Sequence, residues 1–137
     1  MRSFSRFDPG GPIYHGERFN GVTHLAGTVL AATCAGALIW VSVALGEPWR
    51  IGGFSVYGAT LVLLYLFSTL YHCLRGRAKA VFRRLDHSAI YLLIAGSYMP
   101  FLFGVLDGAW GWSLFGVVWA AAAVGVTAKL LDRLRHP

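Results

Sequence analysis

Charge is what this sequence has least of. Only 13% of its 137 residues are charged, against roughly 25% in an ordinary soluble domain, while 56% are hydrophobic. Mean hydropathy is +0.57. A single soluble core of this size could not hide so much apolar surface, and the same composition excludes intrinsic disorder. Two cysteines, Cys34 and Cys73, set far apart in apolar surroundings, exclude a disulfide scaffold. The length leaves no room for a two-domain enzyme. What these absences leave is a small polytopic membrane protein, all-α, because lipid offers no hydrogen-bond partners to open backbone.

Long hydrophobic runs are present in number. Four segments reach the length of about 20 apolar residues that a bilayer requires. They run over about 21–45, 51–74, 85–106 and 108–128. Residues 1–20 then form an N-terminal segment, 21–131 a transmembrane domain and 132–137 a tail. The connections are short: Gly46 to Arg50 with Pro48 as a stop, Arg75 to Arg84, and a tight turn around Asp107. Trp49, Trp110 and Trp112 fall where an interfacial aromatic belt is expected. The first run is too long for a signal-peptide core and reads as an uncleaved signal-anchor.

The net charge of +6 does not point to nucleic acid, because the cations flank the apolar runs. Eleven of the twelve Lys and Arg lie in alternate segments: the N-terminal one, the second connection and the C-terminal end. Only Arg50 lies in the others. This places both termini in the cytoplasm, with the cell membrane as the expected location. Small residues spaced by four (Gly27, Ala31 and Ala35; Ala121 and Gly125) let helices approach closely. Packing within one chain is the expected use of these ridges, and a homo-oligomer the alternative.

Ionisable groups at membrane depth are costly and read as functional. Glu17, Asn20 and His24, at i, i+3 and i+7, share one face of the first helix, although Glu17 also suits a capping or anchoring role. Ser68 and His72, four apart, share a face near the end of the second. His72 can ligate a metal through one ring nitrogen or snorkel to the interface. Asp86 and His87 cannot both face one site, and Asp86 is either an N-cap or the partner of a metal-bound water. Tyr91, Ser97, Tyr98 and Pro100 form a polar stripe on the third span, where Pro100 is expected to kink the helix or open a cavity. His24, His72 and Asp86 fall at one depth on three helices, which points to a common site.

Taken together, Glu17-x2-Asn20-x3-His24, Ser68-x3-His72 and Asp86-His87-x2-Ile90-Tyr91, running on to Pro100, resemble the hemolysin III proteins. These are the bacterial branch of the progestin and adipoQ receptor superfamily. The resemblance covers the chain from about Gly16 to the end of the fourth span. It implies a fold of typically seven membrane helices, of which four are here, as in a chain truncated after the fourth. It also implies zinc near the cytoplasmic face, held by a His on the second helix and two from an H-x3-H motif on the seventh. On that pattern His72 is the zinc ligand, Asp86 the water partner and Ser68 its neighbour. The H-x3-H motif is absent from these 137 residues. His24 is then a candidate second ligand, with His87 as another and a second chain as a further source.

Three functions follow as expectations. The first is a metal-dependent hydrolase acting on lipid amides, with zinc-bound water activated by Asp86. The second is a pore-forming or cytolytic protein, as the family name suggests. The third is a non-enzymatic membrane component or an inactive truncated product. Membrane lipids are the expected partners in all three, and nucleic acid in none.

Overall fold

The computed structural model describes residues 17–106 and 108–131. Four helices account for nearly all of them: α1 (Arg18–Ala44), α2 (Pro48–Cys73), α3 (Gly76–Gly104) and α4 (Gly108–Leu131). At about 1.5 Å per residue, helices of 24 to 29 residues extend roughly 36 to 44 Å, more than the roughly 30 Å hydrocarbon core. All four are also apolar enough to cross a membrane. The outward faces carry large apolar side chains, among them Trp40 and Trp110 at 72% and 82% exposure, as a lipid-facing surface requires. Trp112 is exposed beside Trp110, whereas Trp49 turns inward against Gly104.

The connections are shorter than the apolar runs suggest. Pro48 does not stop a helix but begins α2 at its first position, where its missing N–H costs nothing. Arg75 to Arg84, expected as a connection, is helical from Gly76 onward, so only Leu74 and Arg75 separate α2 from α3. Gly76 makes the reversal with φ +61, a backbone region that side chains with a Cβ avoid. Asp86 therefore lies well inside α3, whose N-cap is Arg75, and the capping role considered for it is excluded.

The helices pack serially: α1 on α2, α2 on α3 and α3 on α4. The α1 seam follows alternating steps of three and four through Gly21, His24, Thr28, Ala31 and Ala35, and a step of seven on to Ser42. Such spacing keeps a straight stripe on the partner helix, and small residues along it allow the backbones to close in. Ala31 and Ala35 are buried there, and a Cβ at Gly58 of α2 would stand 2.6 Å from that of Ala35. Gly27 receives the Tyr65 ring, and Gly125 of α4 receives that of Tyr91 on α3. Gly27, Ala31, Ala35 and Gly125 thus pack helices within one chain, whereas Ala121 of the expected α4 ridge is exposed and its neighbour Ala122 is buried instead. The α2–α3 contact is similar, with Gly96 against Thr60 and Gly53 against the backbone of Pro100. α3 continues as a helix through Pro100.

Candidate functional site

Glu17, His24, Ser68, His72 and Lys79 meet where the start of α1, the end of α2 and the start of α3 come together. α1 and α2 run in opposite directions, so the beginning of one lies beside the end of the other. Gly21 sits opposite Cys73 and His72, and a Cβ there would stand 3.3 Å from Cys73 Sγ. That close approach brings His24, one turn further on, to Ser68: His24 Nδ1 and Ser68 Oγ share a hydrogen bond of 2.6 Å. Ser68 is 3% exposed. The next turn repeats the pattern with Thr28 and Thr69, whose hydroxyls are 3.3 Å apart. Unlike the His24–Ser68 pair, each gives its one proton to its own helix, Thr28 to the His24 carbonyl and Thr69 to that of Tyr65.

The two imidazoles stand edge to face, 5.4 Å between centroids, with Tyr65 on the far side of His24 and Tyr71 beside His72. His72 Nδ1 is buried and has no hydrogen-bond partner. Its nearest carboxylate oxygen is Glu17 Oε2 at 3.9 Å, beyond hydrogen-bond length. Glu17 occupies the N-cap position of α1 but makes no side-chain capping bond; its carboxylate pairs with Lys79 of α3. The Lys79 ammonium also lies 5.0 Å from the centre of the Tyr71 ring.

Four of the residues singled out in the sequence thus meet: Glu17, His24, Ser68 and His72, whereas the Asp86 carboxylate lies 3.9 Å from Nδ1 of its neighbour His87. Asn20 and His87 do not join them. Asn20 is exposed, with only its carbonyl engaged, accepting from Thr23. His87 turns outward, its Nδ1 2.5 Å from the Arg83 carbonyl. Sequence reasoning missed Thr28, Tyr65, Thr69, Tyr71 and Lys79. The first three had a signal in their spacing, because Thr28 is one turn from His24 and Tyr65 one turn from Thr69.

An orphaned imidazole nitrogen is the kind of atom a metal would satisfy, but one donor does not make a centre. Zinc in a catalytic site takes about three protein ligands. Among the described residues no group of three His, Cys, Asp or Glu side chains is placed to hold a metal ion. His24 Nδ1 is already engaged by Ser68, and its ring meets that of His72 edge to face. The described residues therefore do not form a zinc site by themselves.

Four long apolar helices, three of them meeting at a polar cluster, define a multi-pass membrane protein. The family model described as Haemolysin-III related matches residues 13–137, and the chain belongs to that family. It is 40% identical over 115 residues to a protein named "Hemolysin-3 homolog" from Bacillus subtilis (strain 168), covering 83% of this chain and 54% of that protein. It is 42% identical over 115 residues to "Hemolysin-3" from Bacillus cereus, covering 83% and 52%. The chain thus spans about half the length of these curated relatives. No solved structure matches it.

Proposed function

We propose that this chain forms one wall of a hydrolytic site in a hemolysin III-type protein of the cell membrane, facing the cytoplasm and acting on lipid amides. The observation that carries the reading is His72 Nδ1, buried without a partner between His24 and Glu17. Polar side chains from three helices gather around it, in a segment where each buried polar group is expensive. The hydrogen-bonded Ser68–His24 pair orients the second imidazole toward His72. Asp86 supplies a carboxylate on the third helix, the type of group that takes a proton from water during hydrolysis. The resemblance to the progestin and adipoQ receptor superfamily is what suggests lipid amides. Zinc at His72 requires donors from outside these four helices, either other residues of a longer chain or a second copy.

Metal analysis of the purified chain in detergent tests the zinc part beside His72→Ala. About one zinc per chain, lost in the variant, supports donors from a second copy. No zinc in either protein overturns metal binding by this chain. In a family member of full relative length, Asp86→Ala abolishes lipid amide hydrolysis if the role given to Asp86 holds, and retained turnover refutes it.

The names of both relatives favour membrane lysis as a second reading. It predicts dye release from liposomes that does not depend on metal. Liposomes that stay sealed at high protein loading count against it.

A further inference from the structure

We propose that the hollow where α3 enters the membrane binds the phosphate headgroup of an anionic phospholipid. The hollow is a cavity of about 190 Å³ lined by Tyr71, Gly76, Lys79, Ala80 and Arg83. Its four α3 residues stand at i, i+3, i+4 and i+7, so they form one stripe of that helix. The stripe alternates small residues with cations. Gly76 and Ala80 leave the space open, and Lys79 and Arg83 line it with positive charge. Tyr71 closes it from the end of α2 with a phenol that can donate a hydrogen bond.

The surroundings favour an anion held at a membrane surface. Residues 75–84 carry five cations and no carboxylate. They are helical from Gly76, so they continue the spanning helix beyond its apolar stretch, at headgroup level. Basic hollows at the ends of spanning helices are suited to anionic headgroups, and each nearby Lys or Arg adds about 1 kcal/mol of attraction to such a surface. Lys79 is already paired with Glu17, which leaves the planar, exposed guanidinium of Arg83 as the group that grips the phosphate. Lipid binding in this hollow does not depend on hydrolytic activity.

The test uses the 137-residue chain in nanodiscs of equimolar phosphatidylglycerol and phosphatidylcholine, with the lipids retained after extraction counted by native mass spectrometry. The wild type retains phosphatidylglycerol preferentially. Arg83→Gln, at an exposed position where folding is not at stake, lowers that enrichment about fivefold, the weight of one cation at an anionic surface. Ala80→Leu keeps every charge but fills the hollow, and lowers it to a similar extent. Arg77→Gln removes a cation that does not line the hollow and leaves the enrichment near wild type. An equal loss in Arg77→Gln overturns the proposal in favour of diffuse attraction. Undiminished enrichment in Ala80→Leu or in Arg83→Gln overturns it as well. Displacement of the lipid by millimolar inorganic phosphate reassigns the hollow to a free anion and overturns the lipid reading.

Discussion

Replacing Ser68 with Ala removes one hydroxyl from the α1–α2 seam and leaves His24 Nδ1 without its 2.6 Å partner. Two magnitudes compete. Stranding a buried polar group in a water-soluble protein costs about 1–3 kcal/mol. Interhelical hydrogen bonds in membranes measure nearer 0.6 kcal/mol on average, about 1.7 at most, because the unfolded chain also finds partners there. The membrane figure governs, since the seam lies between spanning helices. Ser68 is 3% exposed and its bond is short, which places this pair in the upper half of that range. Ser68→Ala should therefore cost about 1 kcal/mol, a fall in melting temperature of roughly 3–6 °C for a chain of this length. The assay is thermal unfolding in detergent of wild type, Ser68→Ala, His24→Ala and the double variant. His24→Ala also loses ring contacts with Tyr65 and His72, but that loss is common to both Ser and Ala backgrounds and cancels in the cycle. A coupling of about 1 kcal/mol is expected. A coupling under about 0.3 kcal/mol would refute the hydrogen bond as a determinant of the seam.

Two further predictions concern the same region. Gly58→Ala brings a Cβ to 2.6 Å from that of Ala35, when carbon atoms prefer about 3.5–4.0 Å, so α1 must move away by about 1 Å. Overpacking of this kind costs about 1–3 kcal/mol, whereas Gly36→Ala meets nothing within 4 Å and gains helix propensity. Melting temperatures should therefore move in opposite directions for the same chemical change, and equal shifts would show that α1 and α2 are not packed in this register. Glu17→Lys sets two cations against each other at the Glu17–Lys79 contact and lowers the melting temperature. Adding Lys79→Glu restores most of the loss, and a double variant no better than the single one would remove that contact from the fold.

Much of this architecture was legible because lipid imposes simple rules. The four spans follow from uninterrupted apolar runs, and the ridges at Gly27, Ala31 and Ala35 follow from spacing alone. The early start of α3 was hidden because its first turns are basic, and hydropathy responds to lipid contact rather than to helicity. Those turns are held instead by tertiary contacts: Lys79 with Glu17, and Phe82 with Phe67 at 6.1 Å between ring centroids. At the site, periodicity put Ser68 and His72 on one face and depth grouped His72 with His24 and Asp86; the structure brings His24 against both Ser68 and His72. Which side chain meets which depends on the rotation of each helix about its axis. That rotation is set by where glycines admit a neighbour, as Gly21 does for Cys73 and Gly27 for Tyr65. Adjacency separated His87 from Asp86 without saying which turns outward, so His87 stayed a candidate ligand until the structure turned it to the Arg83 carbonyl, and Lys79 lay in a stretch read as a connection and could not be placed.

A polar seam between membrane helices can be purely structural, so the case for a site rests on what separates the imidazoles from the hydroxyls. Thr23, Thr28, Thr33 and Thr69 each donate to the carbonyl one turn earlier in their own helix. Ser42 does the same to Leu38 at 2.7 Å. These groups are satisfied locally and need nothing from a neighbour, which is how a spanning helix carries hydroxyls at little cost. Ser88 keeps a buried hydroxyl without a partner, but a serine rotor can turn to its own helix without moving any other element. Trp119 keeps an unbonded indole N–H on α4, which packs on α3 and not on α1 or α2. His72 differs from all of these. Its ring is set between those of His24 and Tyr71, and its Nδ1 faces a carboxylate 0.4 Å beyond the bonding limit of about 3.5 Å, at 3.9 Å. That nitrogen makes no bond to its own helix, unlike Nδ1 of His87, and the nearest carboxylate is held by Lys79. His72→Phe keeps the ring packing and removes the nitrogens. If the seam were structural only, relieving an unpaired polar atom should leave melting unchanged or raise it by a few degrees, at no functional cost. A site predicts the same gain in stability together with loss of hydrolysis in a family member of full relative length, and unchanged turnover in that variant would reduce His72 to packing.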